Sequence, residues 1–394
     1  MPIATRPSSW PARLFSASPV RPDQNSASYL PGLDGWRALA VILVILDHCQ
    51  PLPSFFHPLQ SRGTLGVEIF FAISGLLICT RLLAEEARYG KISIGNFYIR
   101  RAFRILPASA LYLGILTLLG AAAIIPFERS SWLASLFFYR NYYSYFCGVY
   151  ATGWFTAHFW SLSVEEHFYF LLPSILLFFP RTRQWILAVL SVISLGWLYY
   201  YAANTSENIL NVAYWSQRTE FRLACLLIPA LFALALVNPR FKQKATRFLP
   251  AWLGLILMLA CLSHNVLEFL ASFSSFAVGL LWLTALKSTL FPLILISTIL
   301  HPRSFLTRFL ELSPLRFVGR ISYSLYLWQT LFLTRDITFA AYPIHVLEHP
   351  AIGIACTFAC AIASYYFVET PFIRLARNFL KKPAPHNRNP LQES

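Results

Sequence analysis

Repeated apolar runs of nearly bilayer-spanning length constrain this chain more than any motif does. They cover roughly residues 38–57, 64–83, 105–125, 158–180, 184–202, 221–237, 250–264, 268–287, 319–337 and 350–369. Crossing the hydrocarbon core takes about 20 apolar residues in a helix. Lipid offers no partners to open backbone N–H and C=O groups, so such runs must be helical. The expected fold class is therefore all-α, a polytopic bundle of about 10 transmembrane helices. An eleventh would come from the aromatic stretch 131–147 if it crosses rather than lying at the interface. Composition agrees: 57% of residues are hydrophobic and only 12% charged, where a soluble domain carries about 25% charge.

The formal net charge is +15. In a soluble chain that would suggest nucleic acid; here the positive-inside rule accounts for it, and no nucleic-acid partner is expected. With the N-terminus inside, Arg88, Lys91, Arg100, Arg101 and Arg104 fall in the first inner loop. Arg181 and Arg183, then Arg240 to Arg247, then Arg303 to Arg316, fall in later inner segments, and Lys381 and Lys382 in the tail. The alternate loops are poorer in Lys and Arg, which places both termini in the cytoplasm of a multi-pass bacterial inner-membrane protein. Residues 288–300 are apolar but carry Pro292, and a crossing there would put 301–316 outside against its charge. They are therefore read as no span.

Residues 1–28 are rich in Ser, Pro and Arg and lack an apolar core, so they read as a disordered cytoplasmic tail rather than a signal peptide. Residues 29–376 form the expected membrane domain and 377–394 a second cytoplasmic tail. The chain stops about 25 residues after its last run, so no second soluble domain is expected. The seven cysteines include no C-x-x-C and read as small buried hydrophobes. His345 and His349 have metal-like spacing but no convincing third ligand. No metal or bound cofactor is expected.

Charged residues inside spans are costly and hence candidates for function. Arg37 and His48 are eleven residues apart on the first helix. At about 100° per residue they share a face, separated by roughly 16 Å along the axis. Arg37 would sit at the cytoplasmic mouth and His48 near the membrane middle. Asp34 is placed to pair with Arg37 at i,i+3. Counting back from Arg81 and Arg181, Glu68 and the Glu165–Glu166 pair reach depths comparable to that of His48. A carboxylate on one ring nitrogen of His48 would fix its tautomer and raise basicity at the other, making a proton-transfer site. An interhelical structural histidine is the alternative. Arg101 and Arg104 share a helix face and can grip phosphate groups, or can serve only as a positive-inside anchor.

Five segments together resemble the acyltransferase-3 family of membrane O-acyltransferases. They are Leu33-Asp34-Gly35-Trp36-Arg37 running to His48; Gly66 to Ile78, containing Glu68-Ile69-Phe70-Phe71 and Ser74-Gly75; Phe97 to Pro107, containing Arg100-Arg101-Ala102-Phe103-Arg104; Trp160-Ser161-Leu162-Ser163-Val164-Glu165-Glu166-His167-Phe168-Tyr169; and Gly319-Arg320-Ile321-Ser322-Tyr323-Ser324-Leu325-Tyr326-Leu327-Trp328, followed by Val368-Glu369-Thr370-Pro371. The resemblance implies acyl-CoA, most simply acetyl-CoA, as co-substrate, and a hydroxyl acceptor on a sugar, glycan or macrolide-type metabolite. It implies catalytic roles for Arg37 and His48 and a functional role for the arginines near 101–104. The expected catalytic set is His48, Arg37, Glu68 and Glu165. The expected acyl-CoA and substrate contacts are Arg100, Arg101, Arg104, Ser161, Glu166, Tyr323 and Trp328. Three positions depart from the family pattern: Glu68 where Asp is common, His167 where Gln is usual, and Gln329 where His is common.

Two other classes use the same residues. A proton-coupled transporter of a glycan or small metabolite would also bury Arg, His and Glu, although no internal repeat is visible. A non-catalytic subunit of a glycan-assembly complex would leave His48 dispensable.

Overall fold

The computed structural model describes residues 30–49, 62–147, 153–205, 215–262, 275–333 and 349–380. Among the described residues all regular structure is helical. Helix α1 spans Leu33–His48. It starts after Gly32, whose φ of 80° lies in the left-handed region that glycine enters without strain. The Gly32 N–H donates to Glu311 Oε1 at 2.6 Å. Helix α2, Gly63–Tyr89, stops at Gly90, another left-handed glycine, whose N–H caps the Glu86 carbonyl. Helix α3 is Ile94–Ala121. Two eight-residue helices, Arg129–Leu136 and Arg140–Cys147, and a 3-10 turn at Trp154–Thr156 lead into α4, Phe159–Phe178. Helices α5, Arg183–Asn204, and α6, Ala224–Ala235, follow. Beyond α6 the chain turns by 109° into Pro239–Phe248. Helix α7 is Phe276–Leu300, α8 is Ser322–Phe332, and α9, Pro350–Ser364, continues through a π turn into Thr370–Phe379.

Helix α2 is the hub. It packs on α1, α4, α6 and α7, and Phe71, Leu76 and Cys79 on it are essentially inaccessible. Its glycines explain the approach. A Cβ on Gly66 would strike the Ala40 carbonyl of α1, and one on Gly75 the Leu226 carbonyl of α6. Small residues let helix backbones close to contact where lipid supplies no hydrophobic drive. Trp36 of α1 is tied to α7 by its indole N–H, 3.1 Å from Thr298 Oγ1.

Five helices of the described residues are long and apolar enough to cross a membrane: α2, α3, α5, α7 and the continuous 350–379. The bent pair at 224–248 would add a sixth as one broken span. Several sequence expectations change. The stretch 131–147 is two short helices rather than an eleventh span. Residues 288–300 are not separate from the preceding run; they form one helix with 276–287, through Pro292. A proline removes one backbone hydrogen bond, a loss that packed membrane helices tolerate. The run 319–337 is interrupted: Ser313–Arg320 ends where α8 begins at Ser322. The boundary drawn at 377 falls inside the terminal helix. The expected tail 1–28, residue His345 and Lys381–Lys382 lie outside the described residues.

Candidate active site

The cavity system starts from α1, α3 and α4. One cavity, with about 730 Å³ of empty volume, is lined by Arg37, Ser74, Arg101, Arg104, Ser161, Glu165, Glu166, Tyr169, Tyr323 and Tyr326 together with Phe70 and Phe71. A second, of about 960 Å³, is walled by Arg37, Arg81, Arg100, Arg101, Arg104 and Arg377, with Glu85 its single acid. Arg37, Arg101 and Arg104 belong to both. The arrangement is a strongly cationic vestibule that shares its arginines with a chamber of hydroxyls, rings and two carboxylates.

Each side chain has a local reason for its place. Arg37 pairs with Asp34 one turn earlier, at 3.7 Å, as the i,i+3 spacing predicts. Arg101 lies over the Tyr169 ring at 4.4 Å and near Phe97 at 5.8 Å; such cation–π seats hold a guanidinium without consuming its N–H donors. Arg100 is the outlier of the triplet. It is 44% exposed and bonded to Glu85 at 3.1 Å, so its charge is already matched at the rim. Glu165 accepts from Ser74 at 2.9 Å and from Tyr169 at 2.8 Å. Tyr323 is anchored by Ser109 Oγ at 2.6 Å and the Ile105 carbonyl at 2.9 Å. Ser161 Oγ meets Tyr326 OH at 2.5 Å. Ser324 bonds Glu369, which ties the terminal Val-Glu-Thr-Pro segment onto α8.

His48 stands at the far end of α1 from Arg37. Its Nδ1 lies 2.8 Å from the Val44 carbonyl. A carbonyl oxygen only accepts, so Nδ1 carries a proton and Nε2 is the ring nitrogen outside this bond. Its ring is 6.0 Å from that of Trp154, and it does not line either cavity among the described residues.

The carboxylate expected to orient His48 is thus replaced by a backbone carbonyl. Glu68 is 3% exposed and engaged elsewhere: Arg222 reaches it at 3.2 Å and Lys287 at 2.9 Å. Glu165 points into the cavity, toward Ser74 and Tyr169. Trp328 does not line either cavity; its ring packs edge-on to Tyr112 at 5.5 Å and stacks with Phe332. The other expected contacts, Arg101, Arg104, Ser161, Glu166 and Tyr323, do meet in one chamber. Sequence reasoning missed Arg81 and Arg377 as cavity walls, although Arg81 was visible as a charge ending an apolar run. It also missed Arg222 and Lys287, and a buried histidine, His158, one residue before α4 begins.

The described residues thus combine all-helical structure, membrane-length helices, an arginine-lined vestibule and a histidine at the far end of α1. The chain belongs to the acyltransferase-3 family, whose acyltransferase domain matches residues 30–368. It is 32% identical over 365 residues to the O-acetyltransferase OatA of Staphylococcus aureus, which covers 88% of this chain and 57% of the relative. It is 29% identical over 393 residues to the peptidoglycan O-acetyltransferase OatA of Listeria monocytogenes, covering 92% and 59%. The chain thus spans somewhat over half the length of these curated relatives. No solved structure matches it.

Proposed function

We propose that this chain is a membrane O-acyltransferase that moves an acyl group, most simply acetyl, from acyl-CoA to a hydroxyl of a glycan. The observation that carries the reading is the sharing of Arg37, Arg101 and Arg104 between a cationic vestibule and a hydroxyl-lined chamber. CoA is a polyphosphate with a long, weakly polar arm. Guanidinium groups match phosphate oxygens bidentately, and the chamber beyond suits the arm. In this reading the vestibule faces the cytoplasm of a bacterial inner membrane, both termini lie inside, and about ten helical segments enclose the site.

The chemistry needs a base, since a hydroxyl is a poor nucleophile at neutral pH. His48, its Nδ1–H held by Val44, offers Nε2. The acceptor O–H gives its proton to Nε2 as its oxygen forms a bond to the thioester carbonyl carbon. The C–S bond then breaks, and the proton ends on the sulfur as free CoA. The name of the Listeria monocytogenes relative makes peptidoglycan strands the first acceptor to try.

The test uses protein in nanodiscs with labelled acetyl-CoA and isolated glycan strands. Release of CoA with label on the glycan supports the reading. No CoA release with any acyl-CoA tried, together with glycan flux in liposomes, would replace it with transport.

A further inference from the structure

His158 sits at the junction between the 3-10 turn at 154–156 and α4, and it is 4% exposed. Its ring is enclosed by aromatic neighbours: Phe159 at 4.9 Å, Tyr112 at 5.4 Å and Tyr326 at 5.5 Å between centroids. His48 and Arg140 are the titratable groups that act on it through space. Its backbone carbonyl accepts from Tyr326 at 3.1 Å, the tyrosine that lines the chamber beside Ser161. This histidine therefore stands between the chamber wall and the surroundings of His48.

Its protonation pattern follows from its partners. Tyr112 OH donates to the Phe155 carbonyl at 2.7 Å. Thr330 Oγ1 lies 3.0 Å from Tyr112 OH and 3.4 Å from the Phe155 carbonyl, and in the arrangement that leaves no contact unsatisfied it donates to one of them. In that arrangement Thr330 Oγ1 accepts in its 2.9 Å contact with His158 Nδ1. His158 is therefore protonated on Nδ1 and bare on Nε2. That Nε2 is buried with no hydrogen-bond partner among the described residues. A buried lone pair without a donor costs free energy unless something supplies one. Close by, the indole N–H groups of Trp154 and Trp328 are also buried and unpartnered. Trp154 touches His48, and Trp328 touches the Tyr112 ring that abuts His158.

We infer that His158 Nε2 receives a hydrogen bond from a hydroxyl of the acceptor, holding the carbohydrate beside His48, and that it is an acceptor-binding residue of this site. The inference rests on the acyltransferase reading and deepens it on the acceptor side. Aromatic faces with unspent N–H donors and one unspent acceptor suit a sugar ring, which offers apolar C–H faces and several hydroxyls. Two imidazoles divide the work: His48 takes the reacting proton, and His158 fixes the sugar.

Two variants separate binding from scaffolding. In His158→Asn the amide N–H replaces Nδ1–H and keeps the Thr330 contact, but nothing reaches the Nε2 position. In His158→Gln the amide reaches the Nε2 position while the Thr330 contact is lost. The assay is label transfer from acetyl-CoA to isolated peptidoglycan strands, with acetyl-CoA binding and thermal melting in parallel. Expected for Asn is wild-type melting and acetyl-CoA affinity, with kcat/KM for the glycan down about 10- to 100-fold through its KM. Gln is expected to recover part of that loss. Wild-type transfer by Asn would overturn the inference. So would the reverse order, Asn active and Gln inactive, because it would assign His158 to the Tyr112–Thr330 scaffold. Absence of transfer by the wild type would instead sink the acyltransferase reading, and the inference with it.

Discussion

Lys287 Nζ lies 2.9 Å from the Glu68 carboxylate, so α7 and α2 are joined by an ion pair inside the helical packing. Arg222 completes the group at 3.2 Å and is itself fixed by the Ser216 carbonyl at 2.8 Å. Glu68 thus pairs with two cations that would otherwise be stranded among apolar helices. Removing one member of a buried ionic group leaves an uncompensated charge, at a cost of about 3–5 kcal/mol. Glu68→Ala should therefore lower the melting temperature sharply and reduce folded yield. In the surviving folded fraction, acetyl-CoA affinity should stay near wild type. A normal melting curve with lost transfer would return Glu68 to the reaction.

The glycines of α2 make a second stability prediction. Gly75 carries the Leu226 carbonyl where its Cβ would be, so Gly75→Ala must push α6 away from α2. Overpacking of this kind costs about 1–3 kcal/mol. Gly114, with open space around its Cβ position, is the control. Gly114→Ala should leave melting unchanged or raise it, since alanine favours the helix. Equal melting of both variants would mean that the α2–α6 contact is not close-packed.

Local spacing made much of this legible in the sequence. The Asp34–Arg37 pair and the shared face of Arg101 and Arg104 follow from helix periodicity alone. The all-helical class follows from run length. What stayed hidden depends on contacts between distant positions. Arg222 and Lys287 lie 154 and 219 positions from Glu68, and no periodicity announces such pairs. Pro292 misled for a different reason. As a helix breaker it separated 288–300 from the preceding run, whereas packing carries α7 through it. His158 was passed over because an imidazole beside aromatic residues gives no pattern. Only its exhausted Nδ1 contact and bare Nε2 distinguish it.

The arginines can be ranked by what already occupies them. Arg104 faces both cavities, and Arg81 lines the vestibule. Arg100 is bonded to Glu85 and exposed. Arg104→Ala and Arg81→Ala should each weaken acetyl-CoA binding about tenfold or more, since a hydrogen bond to a charged group contributes about 1.5–3 kcal/mol. Arg100→Ala should do much less, because solvent screening and Glu85 already discount its charge. Binding of CoA should also weaken with added salt, and the Arg104→Ala protein should show a shallower dependence. Titration calorimetry with CoA and with dephosphorylated pantetheine separates phosphate contacts from arm contacts. Equal affinity for the two ligands would remove the vestibule from phosphate recognition.

His48 is set apart from the arginines by position as well as chemistry. Its Nδ1–H is committed to Val44, and its ring meets Trp154 rather than the vestibule. A group so placed can act on the acceptor without holding the donor. His48→Ala should then lower transfer by about 10²–10⁴-fold, the range for a lost general base, while acetyl-CoA still binds as in wild type. His48→Gln should fare no better in rate, because an amide can hydrogen-bond a hydroxyl but cannot take its proton. That distinguishes His48 from His158, where an amide at the Nε2 position is expected to help. The measurements are single-turnover transfer and equilibrium binding on the same nanodisc samples. Loss of acetyl-CoA binding in His48→Ala would mean that the histidine helps seat the donor, and the proton acceptor would then have to be sought among Glu165 and Glu166 in the chamber.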